Sequence, residues 1–153
     1  MRFGVLSWNA RGINDPHRRK EVYKTALFTH ADIICLQETW LSPETQPTDF
    51  GWKGPQLWSP SLSPSQHKHA GVAILCKRWI AKLKPIFKVI IPGRAISMDI
   101  QMDGKTTRII TCYMSLQTAG LQTRMGSSSN SLRSLTTPIQ SYVETSTQSL
   151  TQS

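Results

Sequence analysis

Two short apolar runs, each ending in polar residues, are separated by a stretch with helical spacing in the first part of the chain. Phe3 to Asn9 and Ile33 to Gln37 have strand length, and Arg18 to Thr29 between them carries apolar residues at helical spacing. The pattern predicts a strand, a crossover helix and a second strand, which form a parallel pair. Because parallel strands end at the same edge of a sheet, we expect Asn9 and Glu38 to share one crevice there.

Extended runs without an intervening helix follow in residues 72–113. Val72 to Cys76 is typical of a buried strand, and Phe87 to Ile91, Ala95 to Met102 and Thr106 to Tyr113 are extended runs. The last two are joined through Asp103-Gly104, a strong signal for a two-residue hairpin turn. The sequence therefore predicts an α/β fold in which one parallel unit is followed by mostly antiparallel strands.

The composition changes at Ser115, after which Ser, Thr and Gln dominate. The only charged residues beyond this point are Arg124, Arg133 and Glu144. Such a sequence buries too little apolar surface to offset the entropy lost on ordering. We therefore predict two parts, a domain of residues 1–114 and a disordered tail of residues 115–153.

The chain is strongly basic, with a formal net charge of +9. Residues 1–114 hold 16 Lys and Arg against 8 Asp and Glu, whereas residues 115–153 hold 2 against 1. The positive charge thus belongs to the domain, where it suits a nucleic-acid partner because phosphate contacts release counterions. Arg18-Arg19-Lys20 is one cluster, although an ordinary solvated surface is the alternative interpretation.

The cysteines and the apolar runs bear on the compartment. Cys35, Cys76 and Cys112 each lie in an apolar strand, without a Cys-x-x-Cys spacing or a secretory leader. They predict free thiols in a reducing compartment and no disulfide partner. The apolar runs are too short to span a bilayer. We therefore expect no membrane partner and a nuclear or cytoplasmic location.

The polar strand ends carry two distinctive stretches, Ser7-Trp8-Asn9-Ala10-Arg11-Gly12-Ile13 and Ala31 to Leu41 with Gln37-Glu38-Thr39 inside it. They closely resemble the start of the endonuclease domain of LINE-type, non-LTR retrotransposons, in the endonuclease/exonuclease/phosphatase superfamily. His69 to Leu75 and Arg94 to Tyr113 extend the resemblance to about residue 114. It implies a four-layer α/β sandwich of two packed sheets with helices outside. Residues 1–114 would form its first half, an incomplete sandwich.

The resemblance also implies roles for three residues. Glu38 matches the family's metal ligand, which would bind Mg²⁺, and Asn9 matches the residue that contacts the phosphate or orders the metal site. Tyr113 falls where the family places a Tyr whose hydroxyl reaches the scissile phosphate. The usual Tyr-Ala-Pro-Asn reads Tyr113-Met114-Ser115-Leu116 here, so an ordinary strand aromatic is the alternative.

The family's later motifs have no match in this sequence. Neither the Asp-x-Asn that positions the attacking water nor the Ser-Asp-His that activates it is found, because no Asp follows Asp103 and no His follows His69. We therefore expect the remnant of a Mg²⁺-dependent DNA endonuclease, truncated and inactive alone. Alternatives are a non-catalytic nucleic-acid-binding fragment and a phosphatase or sphingomyelinase of the same superfamily. The residues expected to contact DNA are Arg11, Arg18, Arg19 and Lys20.

Overall fold

The computed structural model describes residues 2–45, 51–62 and 70–114, together with the backbone of residues 142–146. In chain order the elements are β1 (Val5–Asn9), α1 (Pro16–Phe28), β2 (Ile33–Gln37), β3 (Gln56–Ser59), β4 (Val72–Cys76), a 3₁₀ helix (Arg78–Leu83), β5 (Ile86–Ile91), β6 (Ala95–Met102), β7 (Lys105–Cys112) and β8 (Tyr142–Ser146). The predicted α/β fold is confirmed.

The strands form two sheets of four. The first has the order β1-β2-β4-β3, in which β1 and β2 are parallel and the other neighbours antiparallel. The second has the order β5-β6-β7-β8 and is antiparallel throughout. Because Asn9 pairs with Gln37, the predicted parallel pair is confirmed, and both of its strands end at one edge.

Helix α1 begins where its capping residues predict a start. The Oδ1 atom of Asp15 accepts a hydrogen bond from the backbone N–H of His17 at 3.1 Å, and Pro16 fills the first turn, where its missing N–H is no loss. The helix buries only Val22 and Ala26, whereas Leu27 is 50% exposed. The buried apolar stripe of α1 is therefore narrow, and it includes only part of the apolar spacing in the sequence.

Alternate residues of β2 and β4 face opposite sides of the first sheet, so both faces are apolar. One face packs under α1 with Ile34, Leu36, Ala73 and Leu75. The other face meets the second sheet in a cluster of Ile33, Cys35, Val72, Ile74, Cys76, Ile80, Ile96, Met98, Ile100 and Ile109. Within the described residues the layers are thus helix, sheet and sheet, as expected for an incomplete four-layer sandwich.

The hairpin between β6 and β7 turns through Asp103 and Gly104, with φ of +50° and +73°. Met102 pairs with Lys105 across the turn. Positive φ at both central residues is the geometry that a tight two-residue hairpin requires, and Asp and Gly adopt it readily. The predicted hairpin is confirmed.

Strand β8 pairs with β7 and lies inside the predicted disordered tail. The sequence prediction missed it, although Tyr142, Val143 and Thr145 are residue types that favour strands. Their neighbours are Ser and Thr, so no apolar alternation marked the segment, and the unpaired edge of β7 is a tertiary feature. The rest of 115–153 lies outside the described residues, and the domain boundary near residue 114 stays a prediction.

All three cysteines are free thiols, which confirms that the chain has no disulfide. No helix among the described residues has the length and apolarity needed to cross a membrane.

Cys35 and Cys76 should resist alkylation of the native chain, whereas the half-buried Cys112 should react first. Burial, and then the neighbouring Cys35, raises the pKa of Cys76 from 9.0 to about 12. The thiolate is the reactive form. The pKa of Cys76 is higher in the folded chain than in the unfolded chain. The contribution of the neutral Cys76 thiol to the free energy of unfolding is therefore fully present below pH 9 and is lost between pH 9 and about 12, at up to ~1.4 kcal/mol per pH unit. Mass-spectrometric alkylation rates test the order of reaction, and equal rates at all three thiols would contradict the buried sites.

Candidate active site

The chain segments after β1 and β2 continue side by side beyond the strands. The backbone N–H of Ala10 donates to the carbonyl of Gln37 at 2.8 Å, and that of Gly12 donates to the carbonyl of Glu38 at 2.7 Å. The two polar strand ends are therefore fixed relative to each other by backbone hydrogen bonds, and not only by their side chains.

Asn9 and Glu38 meet at this edge, as the parallel pairing predicts. The Nδ2 atom of Asn9 donates to Oε1 of Glu38 at 3.0 Å, and its Oδ1 accepts from the backbone N–H of Arg11 at 3.0 Å. Because the amide uses both ends, its orientation is defined and it presents a donor to the carboxylate. Asn9 therefore holds Glu38 in one direction.

Three residues other than glycine have a left-handed backbone in these two segments. Their φ values are +49° for Arg11, +53° for Glu38 and +57° for Trp40. Each such conformation costs about 1–3 kcal/mol and persists where the surrounding structure enforces it, often at functional sites. Gly12, with φ of +87°, packs so closely on the Trp40 ring that an added Cβ would clash. The backbone around Glu38 is thus held by tight packing.

Tyr113 comes from the second sheet to the same place. Burial raises the pKa of Tyr113, and Glu38 raises it further, both as a negative charge and as a hydrogen-bond partner. The positive charge of Arg94 acts in the opposite direction. The phenol therefore stays protonated at neutral pH beside the Glu38 carboxylate, where its hydroxyl can donate a hydrogen bond.

A buried amide joins the two sheets directly behind these residues. Gln37 is 6% exposed, and its Nε2 atom donates to Oγ1 of Thr111 at 2.8 Å and to Oγ of Ser7 at 3.2 Å. Gln37 precedes Glu38, and Thr111 stands two residues before Tyr113. The hydrogen bond therefore fixes the separation of the strand ends that carry the carboxylate and the phenol.

Arg94 belongs to this group, and the sequence prediction missed it. Its carbonyl accepts from the backbone N–H of Tyr113 at 2.8 Å, which continues the pairing of β6 with β7. A signal was present, because the hairpin turn at Asp103-Gly104 pairs Met102 with Lys105. Counting outward from that pair places Arg94 opposite Tyr113.

The match to known families decides what kind of domain this is. A family model described as endonuclease/exonuclease/phosphatase matches residues 6–148. The chain belongs to the endonuclease/exonuclease/phosphatase family. The match begins in β1 and includes β8, so it spans both sheets. No curated protein sequence matched the chain. Membership is consistent with a nuclease-type or phosphatase-type function, that is, with hydrolysis of phosphoesters.

The carboxylate chemistry of this endonuclease/exonuclease/phosphatase domain fits a single-carboxylate magnesium site. Mg²⁺ is usually bound through one or two carboxylates, several waters and substrate phosphate oxygens. A carboxylate has lone pairs enough to accept from Asn9 and Tyr113 and still ligate an ion. No group of three or more His, Cys, Asp or Glu gathers within the described ranges. Glu38 is therefore the residue that could hold the ion, in a weak site.

The basic residues expected to contact DNA lie along the start of α1 and the loop before it. Arg19 donates from Nε to the carbonyl of Ile13 at 3.0 Å and from Nη2 to that of Asn14 at 2.7 Å, so it braces the loop that leads to the helix. A guanidinium held this way supports the loop whether or not DNA is present.

Arg11, Arg18 and Lys20 are exposed. Arg18 forms an exposed ion pair with Glu21 at 3.3 Å. Exposed pairs of this kind contribute little to stability. The contact of these residues with DNA stays a prediction.

Proposed function

We propose that this chain is the remnant of a Mg²⁺-dependent DNA endonuclease of LINE-type retrotransposon origin, and that it does not cleave DNA by itself. The observation that carries the proposal is the hydrogen bond from Asn9 to Glu38, with Tyr113 of the other sheet beside the same carboxylate. A carboxylate and an amide at one sheet edge, with a neutral phenol from the other sheet beside them, suit a phosphodiester with a bound metal ion.

Each residue has a distinct task in this proposal. Glu38 would hold Mg²⁺, which supplies charge stabilisation to a bound phosphate. Asn9 keeps the carboxylate in its ligating orientation. Because its pKa is raised, Tyr113 keeps its proton, and when substrate binds its single O–H would turn from Glu38 to donate to a phosphate oxygen. Arg94 adds a positive charge close to the phenol, where it favours the anionic phosphate.

The proposed inactivity rests on the groups that activate water. General-base catalysis requires a second titratable group within hydrogen-bond reach of the attacking water. The sequence has no Asp after Asp103 and no His after His69, so the family's downstream Asp-x-Asn and Ser-Asp-His motifs have no match in it. Because these water-activating motifs have no match, we expect the chain to bind a metal ion and a phosphate without activating the attacking water efficiently.

The sequence around the site supports the retrotransposon origin over other branches of the family. The stretch Asn9-Ala10-Arg11-Gly12 and the stretch Gln37-Glu38-Thr39-Trp40 resemble LINE-type endonucleases. A phosphatase or a sphingomyelinase of the same superfamily is the alternative enzyme class, and these two stretches favour it less.

A second function, nucleic-acid binding without catalysis, is favoured by the charge of the domain. The affinity for duplex DNA should fall steeply with salt, with a slope of log affinity against log salt of about −0.9 per phosphate neutralised. Lys20→Ala should reduce the magnitude of that slope by about one unit if Lys20 makes a phosphate contact. Fluorescence anisotropy of a labelled duplex over a salt series measures both.

Lys105 provides the matched control for this titration. It is exposed at the hairpin turn and is the first residue of β7, whereas Tyr113 follows the last residue of that strand. Lys105→Ala should leave the slope unchanged. An affinity that does not depend on salt, or no binding at low salt, would contradict the nucleic-acid partner.

A further inference from the structure

A cleft of about 160 Å³ lies beside the candidate site. Its walls include Thr39, Leu41, Pro43, Trp58 and Pro60. The volume is well below the roughly 300–1,000 Å³ of drug-sized ligand pockets, so the cleft suits one ring system. None of its lining residues is charged, which makes a phosphate group a poor occupant.

The strand register gives the distance from this cleft to the candidate site. Gln37 pairs with Val72, and Val72 pairs with Ser59, so these residues lie in one row across three strands. Two strand spacings separate Gln37 from Ser59, or about 10 Å. Glu38 follows Gln37 in the chain, and Thr39 forms part of the cleft wall. The cleft and the carboxylate therefore open at the same sheet edge.

The aromatic wall of the cleft is held in place. The indole Nε1 of Trp58 donates to Oε1 of Gln56 at 2.8 Å, which orients the ring. The neighbouring Ser59 accepts from the backbone N–H of Gly93 at 2.7 Å, so the end of β3 is tied to the turn before Arg94. A fixed aromatic face stacks a planar heterocycle with little loss of side-chain entropy.

We propose that this cleft receives one unstacked nucleobase of the nucleic-acid strand whose phosphate lies at Glu38. The inference rests on the proposed nucleic-acid function and adds a base-binding subsite to it. A stacked strand advances about 3.4 Å per base, so a span of about 10 Å lies within three base steps. Trp58 supplies the stacking face, and Thr45, whose hydroxyl is hydrogen-bonded to that of Ser42 at 3.2 Å, adds a polar group to the cleft wall.

Two single-stranded probes of equal length test this subsite with the full chain, a labelled oligothymidylate and the same backbone carrying abasic residues. Stacking of one base on an aromatic side chain should make the oligothymidylate bind about 5- to 150-fold more tightly. Trp58→Ala should remove that ratio while keeping the affinity for the abasic probe. Trp58→Phe should retain most of the ratio.

Phe28 offers a matched aromatic control, because its side chain is 83% exposed at the end of α1, away from the cleft. Phe28→Ala should leave the ratio unchanged. Equal affinities of the wild-type chain for the two probes, or a ratio that survives in Trp58→Ala, would overturn the base subsite and leave the nucleic-acid function standing. No binding of either probe at low salt would overturn both.

Discussion

Supercoiled plasmid incubated with the purified chain and Mg²⁺ should stay as intact as plasmid incubated with the Glu38→Gln variant. Glu38, Asn9 and Tyr113 can address a metal ion and a phosphate, but the sequence supplies no matching base for the attacking water. A missing general base costs about 10²- to 10⁴-fold in rate. Groups that act as a unit lose nearly all of their advantage when several are absent.

The Glu38→Gln variant is the control because it keeps the shape of the side chain and one acceptor oxygen for the Asn9 amide while removing the charge. Both proteins are purified in the same way, so that a contaminating nuclease acts equally in the two reactions. If the wild-type chain nicks the plasmid and the Glu38→Gln variant does not, the site is catalytically competent and the proposed inactivity is wrong.

Gln37→Leu should lower the free energy of unfolding by about 1–3 kcal/mol, because it leaves buried hydrogen-bonding groups without their partner. Thr111 is fully buried and accepts from Gln37 at 2.8 Å, so it loses that partner. Thr111→Val is the complementary change. The double variant replaces both partners with apolar groups. Its loss of unfolding free energy should be smaller, by about 1 kcal/mol, than the sum of the losses in the two single variants. Urea denaturation of the four proteins measures this coupling.

Gln101 is the matched control, since it is a glutamine in the neighbouring strand β6 with an exposed side chain. Gln101→Leu should change the stability by less than about 0.5 kcal/mol. Strict additivity of the Gln37 and Thr111 changes would mean that the two side chains do not depend on each other, and the bridge between the sheets would lose its proposed role.

The sequence predicts the parallel pair of β1 and β2 and the edge that carries Asn9 and Glu38, because both depend on local patterns, whereas β3 was not predicted. A run of strand length, a helical spacing and a second run suffice to place Asn9 and Glu38 at one edge. The hairpin at Asp103-Gly104 is equally local, since the two residues determine the turn. These are features in which the local preference and the tertiary structure agree.

Features that depend on distant contacts were not predicted. The partners Gln37 and Thr111 are 74 residues apart in the sequence, and nothing in the periodicity joins a glutamine of one sheet to a threonine of the other. The left-handed backbone of Glu38 is imposed by packing around it, against its own preference. Strand β8 pairs with the open edge of β7, and the strand-favouring residues of 142–146 do not by themselves identify that partner.

The most direct test of the proposed metal and phosphate site is paramagnetic broadening of the NMR spectrum of the full chain by small amounts of Mn²⁺. Mn²⁺ accepts the same oxygen ligands as Mg²⁺. Signals of the Asn9 side-chain amide and of the backbone N–H groups of Gly12 and Thr39 should broaden first, whereas that of Gly104 in the hairpin turn should not, and Glu38→Gln should abolish the selective loss. Broadening that is uniform across the chain, or that persists in Glu38→Gln, would contradict a metal site at Glu38.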